Sequence, residues 1–320
     1  MSLTDLAIRP APARHDTPFA RDVIEGLSAA RKRLPSKHFY DRLGSDLFEQ
    51  ICDLPEYYPT RTETALMRDI APALAEAALP EGSVLVEYGS GASTKTRLLL
   101  DAAPRLRAYV PIDISRSALE AASAALRRDY PALRVEPVLA DFTAAFELPA
   151  SARGRPLTGY FPGSTIGNFT PAEAAGFLAR ARRRLGPGAR FILGADLVKS
   201  EHTLVAAYDD AAGVTAAFNR NLLGRINREL DGDIDLTAFA HRAVWNRAES
   251  RIEMYLASLK PQTVEAAGRR FHFDEGETIH TENCCKFTRE SLAQIAAKAG
   301  WSVQDLWVSP EPEFAVALLL

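Results

Sequence analysis

Val84-Leu-Val-Glu-Tyr-Gly-Ser-Gly-Ala-Ser-Thr-Lys95 reads as a short apolar strand that runs into a glycine-rich turn and then a helix beginning near Ser93. Gly89 and Gly91 can take backbone angles closed to other residues and let a ligand lie against bare main chain. Free N–H groups at the helix start would face that ligand. A second apolar strand, Ala108-Tyr-Val-Pro-Ile-Asp113, ends in an acid. That acid lies about twenty residues past the glycines, a spacing that suits a carboxylate gripping ribose hydroxyls.

The turn is not the dinucleotide fingerprint, because no third glycine follows Gly91, and it is not a P-loop, because no Gly-Lys-Ser/Thr occurs at the wider gap. With Glu87 two residues before the first glycine, it resembles motif I of class I S-adenosylmethionine-dependent methyltransferases. An acid there can orient the loop and hold the cofactor's ammonium.

The remaining strands follow in rhythm. Arg134–Leu139 forms a third and leads to Ala140-Asp141-Phe142, an acid and an aromatic at a strand end. A fourth, Leu157–Phe161, ends in Pro162-Gly-Ser-Thr-Ile-Gly-Asn-Phe169, at the kind of strand end where open α/β sheets place ligands. A helix over Pro171–Leu185 stops at Gly186-Pro-Gly188, and a fifth strand spans Ala189–Val198. Alternating strands and helices predict a doubly wound parallel sheet. Helix Arg289–Ala299 and strands Trp301–Val308 and Glu313–Leu320 supply the closing strand pair, the last strand antiparallel.

Other segments break this rhythm. Ahead of the glycine turn come a helix after Thr17, the stretch Lys37–Phe48, and Leu54-Pro-Glu-Tyr-Tyr-Pro-Thr-Arg-Thr-Glu63, whose tyrosine pair before a proline predicts an extended segment. A helix is expected from about Glu63 to Ala78. Residues 200–230 read as polar and helical. Segments 240–245, 251–259 and 262–266 alternate with period two, as an antiparallel sheet with one wet face does. In Thr278–Phe287, if extended, Glu282, Cys284 and Lys286 face opposite Thr281, Asn283 and Cys285. The expected division is a core of 62–198 plus 287–320, a second lobe of 18–61 plus 199–286, and a mobile 1–17.

Composition narrows the function class. The chain has 320 residues, 47% apolar and 25% charged, with a formal net charge of −3. That balance gives no general attraction to nucleic acid or anionic membrane. Three cysteines, Cys52, Cys284 and Cys285, form neither a disulfide framework nor a zinc pattern. No run of about 18 apolar residues and no apolar signal core is present. The expectation is a cytoplasmic, monomeric protein acting on a small molecule, with no metal, nucleic acid or membrane partner.

Several stretches together resemble one family, the histidine Nα-methyltransferases of ergothioneine biosynthesis. They are Lys37–Phe48, Leu54–Glu63, Glu87–Arg97, Gly163-Ser-Thr-Ile-Gly-Asn168, Tyr208–Asn221, Arg251-Ile-Glu-Met254 and Thr281-Glu-Asn-Cys-Cys-Lys286. The resemblance implies an α/β protein with a class I, Rossmann-like seven-stranded methyltransferase core and a second α+β substrate-binding lobe. It implies three methyl transfers from S-adenosylmethionine to the α-amine of histidine, giving hercynine.

The same resemblance implies the site. Tyr57, Gly89 and Lys95 would lie near the methionine part of the cofactor, Asp113 on its ribose, and Asp141 and Phe142 on its adenine. Asn168 and Tyr208 would hold the substrate carboxylate, Glu282 and Cys284 would read the imidazole beside Met254, and Tyr40 and Phe48 would wall the amine. Tyr40 is the candidate proton acceptor. Lys286 reads as structural. The family often has serine where this chain has Cys284, and a thiol is the weaker hydrogen-bond partner. Rival readings are methylation of another amino acid such as tryptophan, which Glu282 disfavours, and a non-catalytic S-adenosylmethionine-binding regulator.

Overall fold

The computed structural model describes residues 16–91 and 94–320. The expected mobile segment therefore falls almost wholly outside the described residues, as does the helix start at Ser93.

The chain opens with α1 (Pro18–Ser28), capped by the Thr17 hydroxyl, which accepts the Ala20 N–H at 3.1 Å. A 3₁₀ turn over Ser36–Phe39 leads into α2 (Arg42–Asp53). Next comes α3 (Tyr58–Ala78), which starts earlier than its periodicity suggests. The Tyr57-Tyr58-Pro59 segment is thus not extended. Pro59 sits in the first turn, where a missing N–H costs nothing and the fixed φ favours the helix.

The core then alternates: β1 (Val84–Tyr88), α4 (Thr94–Ala102), β2 (Ala108–Asp113) and α5 (Arg116–Asp129). The third strand is split into β3 (Arg134–Val135) and β4 (Val138–Leu139). Pro137 lies between them and has no N–H to give to a ladder. Then follow β5 (Leu157–Phe161), α6 (Pro171–Leu185) and β6 (Arg190–Asp196).

The 200–230 stretch forms two helices, α7 (Glu201–Ala206) and α8 (Val214–Glu229). Three antiparallel strands follow: β7 (Phe239–Asn246), β8 (Arg251–Ser258) and, after the hairpin β9 (Gln262–Ala266) and β10 (Arg269–Phe273), β11 (Thr278–Cys285). Strand β10 pairs antiparallel with β9 and lies outside the segments that the sequence expectation marks as strands. The chain closes with α9 (Arg289–Lys298), β12 (Val303–Val308) and β13 (Phe314–Leu319).

The main sheet runs β12-β13-β6-β5-β1-β2-β3, with β4 also on β2. Strands β6, β5, β1 and β2 pair in parallel, while β13 enters antiparallel between β6 and β12. This is the class I methyltransferase order, and every residue of β1, β5 and β13 is buried, as strands covered on both faces require. Two buried clusters, one around Val86 and Phe161 and one around Leu85 and Met67, cover the two faces of the sheet. A third draws only on residues 19–58 and 204–284 and joins α1, α2 and α8 to the β11-β8-β7 sheet. Among the described residues, no helix is long and apolar enough to cross a membrane.

Candidate active site

Five stretches of sequence converge on one cavity. From the N-terminal region come Tyr40, Phe48, Ile51 and Tyr57. The loop after β5 gives Gly163, Ser164, Thr165 and Asn168, the α7–α8 region gives Ala207, Tyr208, Thr215 and Phe218, and β8 and β11 give Met254, Glu282 and Cys284. Every residue expected to touch substrate lines this cavity, and so does Tyr57.

Local folding explains each placement. Asp41 caps α2 by accepting the Gly44 N–H at 2.7 Å, and its carboxylate also receives Asn221 Nδ2 of α8 at 2.8 Å. Residue 44 must be glycine, because a Cβ there would lie 1.7 Å from the Phe39 carbonyl oxygen. Phe39 packs on Phe218 with ring centroids 4.5 Å apart. Tyr40 and Phe48 are thereby pressed against Phe218, at 5.8 and 6.0 Å, and Tyr57 meets Phe48 at 6.2 Å and Tyr208 at 6.0 Å. The result is an aromatic wall in which Phe218 is a member that sequence reading gave no role.

The loop after β5 is docked onto β11. A Cβ on Gly167 would sit 2.7 Å from the Cys285 carbonyl oxygen, and Cys285 Sγ donates to the Phe169 carbonyl at 3.3 Å. Ser164 adopts φ +57°, a left-handed conformation costly for a non-glycine residue. Asn168 does not cap α6; Thr170 does, in a capping box with Glu173, so the Asn168 amide has no helix-capping duty.

In β11 the expected alternation holds: Cys284 and Lys286 reach Tyr208, while Cys285 turns the other way to Phe169. A bulge between His280 and Glu282 sets Glu282 opposite the buried Met254 of β8. The Glu282 carboxylate meets no hydrogen-bond donor among the described residues, and burial pushes its pKa up to about 8 against the opposing pull of Lys286. A buried, unpaired carboxylate is expensive and calls for a donor from a ligand. Burial, followed by Glu282, holds the Tyr40 phenol well above its ordinary pKa.

Of the residues expected to hold the cofactor, Gly89, Asp113, Asp141 and Phe142 gather at or just past the carboxyl ends of β1, β2 and β4. Gly89 has φ +70°, and a Cβ there would stand 3.4 Å from the Phe142 ring, so the two share one wall. Asp113 at the end of β2 accepts the Gly91 N–H at 2.9 Å and the Ser115 N–H at 2.8 Å, which fixes its carboxylate beside the turn. Asp141 accepts the Thr143 N–H at 2.9 Å and lies 3.7 Å from the Lys37 ammonium. Bare backbone, an oriented acid and an aromatic edge suit S-adenosylmethionine. Glu87 is buried, accepts Thr96 Oγ1 at 2.6 Å and the Tyr109 hydroxyl, and burial lifts its pKa to about 7. An open cleft lined by Ile114, Ser115 and Arg116 adjoins Asp113, and Tyr40 borders both this cleft and the substrate cavity.

Three further charged residues, Glu63, Asp196 and Lys286, tie these elements together. Glu63, fully buried in α3, receives the Gly163 N–H on both carboxylate oxygens and binds the Lys95 ammonium. Lys95 is therefore held by Glu63 beside the loop after β5. Asp196, at the carboxyl end of β6, accepts the Tyr58 hydroxyl at 2.6 Å and pairs with Lys199 at 2.5 Å and Lys286 at 2.7 Å. Lys286, read from sequence as structural, donates to the Tyr208 hydroxyl at 3.0 Å. Its position in the run Thr281–Lys286 was the available signal, as a strand-end acid was for Asp196.

Comparison with known proteins gives the family. Residues 19–320 match the family model described as histidine-specific methyltransferase, SAM-dependent. The chain is 47% identical over 304 residues to the histidine N-alpha-methyltransferase of Mycolicibacterium smegmatis, covering 93% of each chain. It is 44% identical over 304 residues to the enzyme of the same name from Mycobacterium tuberculosis, again covering 93% of each. Ergothioneine biosynthesis protein 1 of Schizosaccharomyces pombe is 24% identical over 94% of this chain and 40% of its own length. With its sheet order, its glycine turn and a family match over nearly its whole length, the chain belongs to the S-adenosylmethionine-dependent, histidine-specific methyltransferases.

Proposed function

We propose that the protein trimethylates the α-amine of L-histidine to hercynine, the first step of ergothioneine biosynthesis. One observation carries this reading. A buried carboxylate without a protein donor, Glu282, shares a cavity with the aromatic wall of Tyr40, Phe48, Tyr57 and Phe218. Imidazole offers the N–H that Glu282 lacks, and a site built to hydrogen-bond rejects side chains that cannot. The names of the bacterial and yeast relatives support the same substrate and route.

In this reading Asn168 and Tyr208 hold the carboxylate, Glu282 and Cys284 read the imidazole beside Met254, and Tyr40 and Phe48 border the amine. S-adenosylmethionine, held by Tyr57, Gly89, Lys95, Asp113, Asp141 and Phe142, supplies an electrophilic methyl. The protein's work is to align a free-base amine and exclude water. Each transfer needs one proton removed from nitrogen. Tyr40, held neutral by burial, serves as a hydrogen-bond acceptor that passes this proton toward solvent rather than as a standing phenolate. The aromatic wall favours the methylated cation through cation–π attraction.

The test is incubation with S-adenosylmethionine and all twenty amino acids, read by mass spectrometry. A gain of three methyls on histidine is expected. Methylation of a different amino acid, with histidine untouched, would overturn the proposal.

A further inference from the structure

Beneath the carboxylate side of the cavity lies a buried ionic cluster that the mechanism above leaves unused. The Lys286 side chain is wholly buried. Its ammonium contacts Asp196 Oδ2 at 2.7 Å, the Tyr208 hydroxyl at 3.0 Å and Cys284 Sγ at 3.3 Å. Asp196, also wholly buried, is shared with Lys199 and with the Tyr58 hydroxyl. Two ammonium groups therefore face one carboxylate, leaving one positive charge in excess behind Tyr208. Burial pulls the Lys286 pKa down, but Asp196, with Cys284 and Tyr58, raises it well above the ordinary lysine value, so the charge stays.

The hydrogen-bond count then decides what Tyr208 can do. A phenol has one proton to donate, and an ammonium has donors only. With Lys286 donating into the Tyr208 oxygen, the Tyr208 proton must go elsewhere. Its neighbours are Cys284 Sγ and the open cavity. We propose that Lys286 is a positioning residue for substrate binding: it commits Tyr208 as a donor to the α-carboxylate and supplies the buried positive charge that the carboxylate neutralises. His241 fixes the other end of the same residue, its ring Nε2 lying 2.8 Å from the Tyr208 carbonyl. The inference rests on the histidine reading above. It goes beyond that reading in assigning carboxylate selectivity to a side chain that does not line the cavity.

A simple structural role for Lys286, joining β11 to β6, makes a different forecast, and calorimetry with S-adenosylhomocysteine present separates the two. The wild-type protein is titrated with L-histidine and with L-histidinamide, which lacks the anionic carboxylate. It is expected to prefer histidine. Lys286→Met should weaken histidine roughly tenfold to a hundredfold, the range for a hydrogen bond to a charged group. Histidinamide and S-adenosylhomocysteine should change little. Tyr208→Phe should cost a similar factor, and the double variant should lose little more, because both act through one hydroxyl. Where Lys286→Met does not fold, Lys286→Met with Asp196→Asn removes the wholly buried pair, leaves only the partly exposed Lys199 ammonium, and keeps the measurement possible. Equal losses for histidine and histidinamide, or losses that multiply in the double variant, would overturn the assignment. A wild-type protein that binds no histidine would instead overturn the histidine reading, and the inference would fall with it.

Discussion

The buried carboxylate of Glu63 accepts the backbone N–H of Gly163 at 3.0 and 2.9 Å on its two oxygens, across 100 residues of sequence. The same carboxylate holds the Lys95 ammonium, so one side chain of α3 ties the helix after the glycine turn to the loop that carries Asn168. On the proposed reading, the residues that hold the cofactor and those that hold the substrate are linked through this carboxylate. Glu63→Ala should therefore weaken both ligands, and should cost about 1–3 kcal/mol of stability through the unmet Gly163 donor and the released Lys95. Calorimetry with histidine and with S-adenosylhomocysteine checks it. Loss confined to one ligand would contradict the shared role.

Glu282 should behave oppositely. Its carboxylate lines the cavity that also holds Asn168, Tyr208 and Met254, whereas Gly89, Asp113, Asp141 and Phe142 do not line it. Glu282→Ala is expected to weaken histidine far more than S-adenosylhomocysteine, by about 1–3 kcal/mol, the cost of leaving the imidazole N–H without its buried partner. Equal losses in calorimetry would mean its role is structural.

The pH dependence of stability follows from the same group. Its folded pKa is pushed up to about 8 from an ordinary 4.5. Between those values the folded chain keeps a proton that the unfolded chain has released, so stability falls as pH rises through that window. Glu282→Gln removes this titration. The melting temperature of the ligand-free variant should gain on the wild type by several degrees between pH 5 and pH 9. A gap that stays constant across that range would refute the assignment.

Gly167 lies against the Cys285 backbone, and a Cβ would come within 2.7 Å of its carbonyl oxygen. Gly167→Ala must push the loop from β11, at a cost of about 1–3 kcal/mol as for other overpacked sites. Histidine affinity should fall with it, because Asn168 moves away from Glu282. An unchanged KM for histidine in steady-state assays would show that the docking does not position Asn168.

Cys284 borders the cavity and contacts Tyr208 and Lys286. A hydroxyl at this place is the stronger partner for imidazole, so Cys284→Ser is expected to lower the KM for histidine by about 2–10-fold with kcat little altered. A raised KM would indicate that the thiol fits this pocket better than serine does.

Much of the site could be read before folding. Motif residues at strand ends are local: Gly89, Asp113 and Asp141 follow their strands directly, and the alternation of Cys284 and Cys285 needs only the period of two in an extended chain. The break at Pro137 and the helix start at Pro59 are not in the sequence expectation, because a proline fits a strand edge, a turn or a first helical turn alike and packing decides among them. Glu63, Asp196 and Lys286 were not legible in this way. A charged residue looks solvated in sequence, and only the fold shows that it is buried and paired.

The sequence by itself determined the class of the protein: the order of strands and helices, the glycine turn, and the residue types that suit a cofactor and an amino acid. Those depend on periodicity and on neighbours along the chain. The tertiary structure decided which distant groups share a hydrogen bond. Glu63 reaches Gly163, Lys286 reaches Tyr208, and Gly167 reaches Cys285, each across 78 to 118 residues. Such contacts exist only after packing has closed the intervening loops, and they turn a set of suitable residues into a site with one geometry.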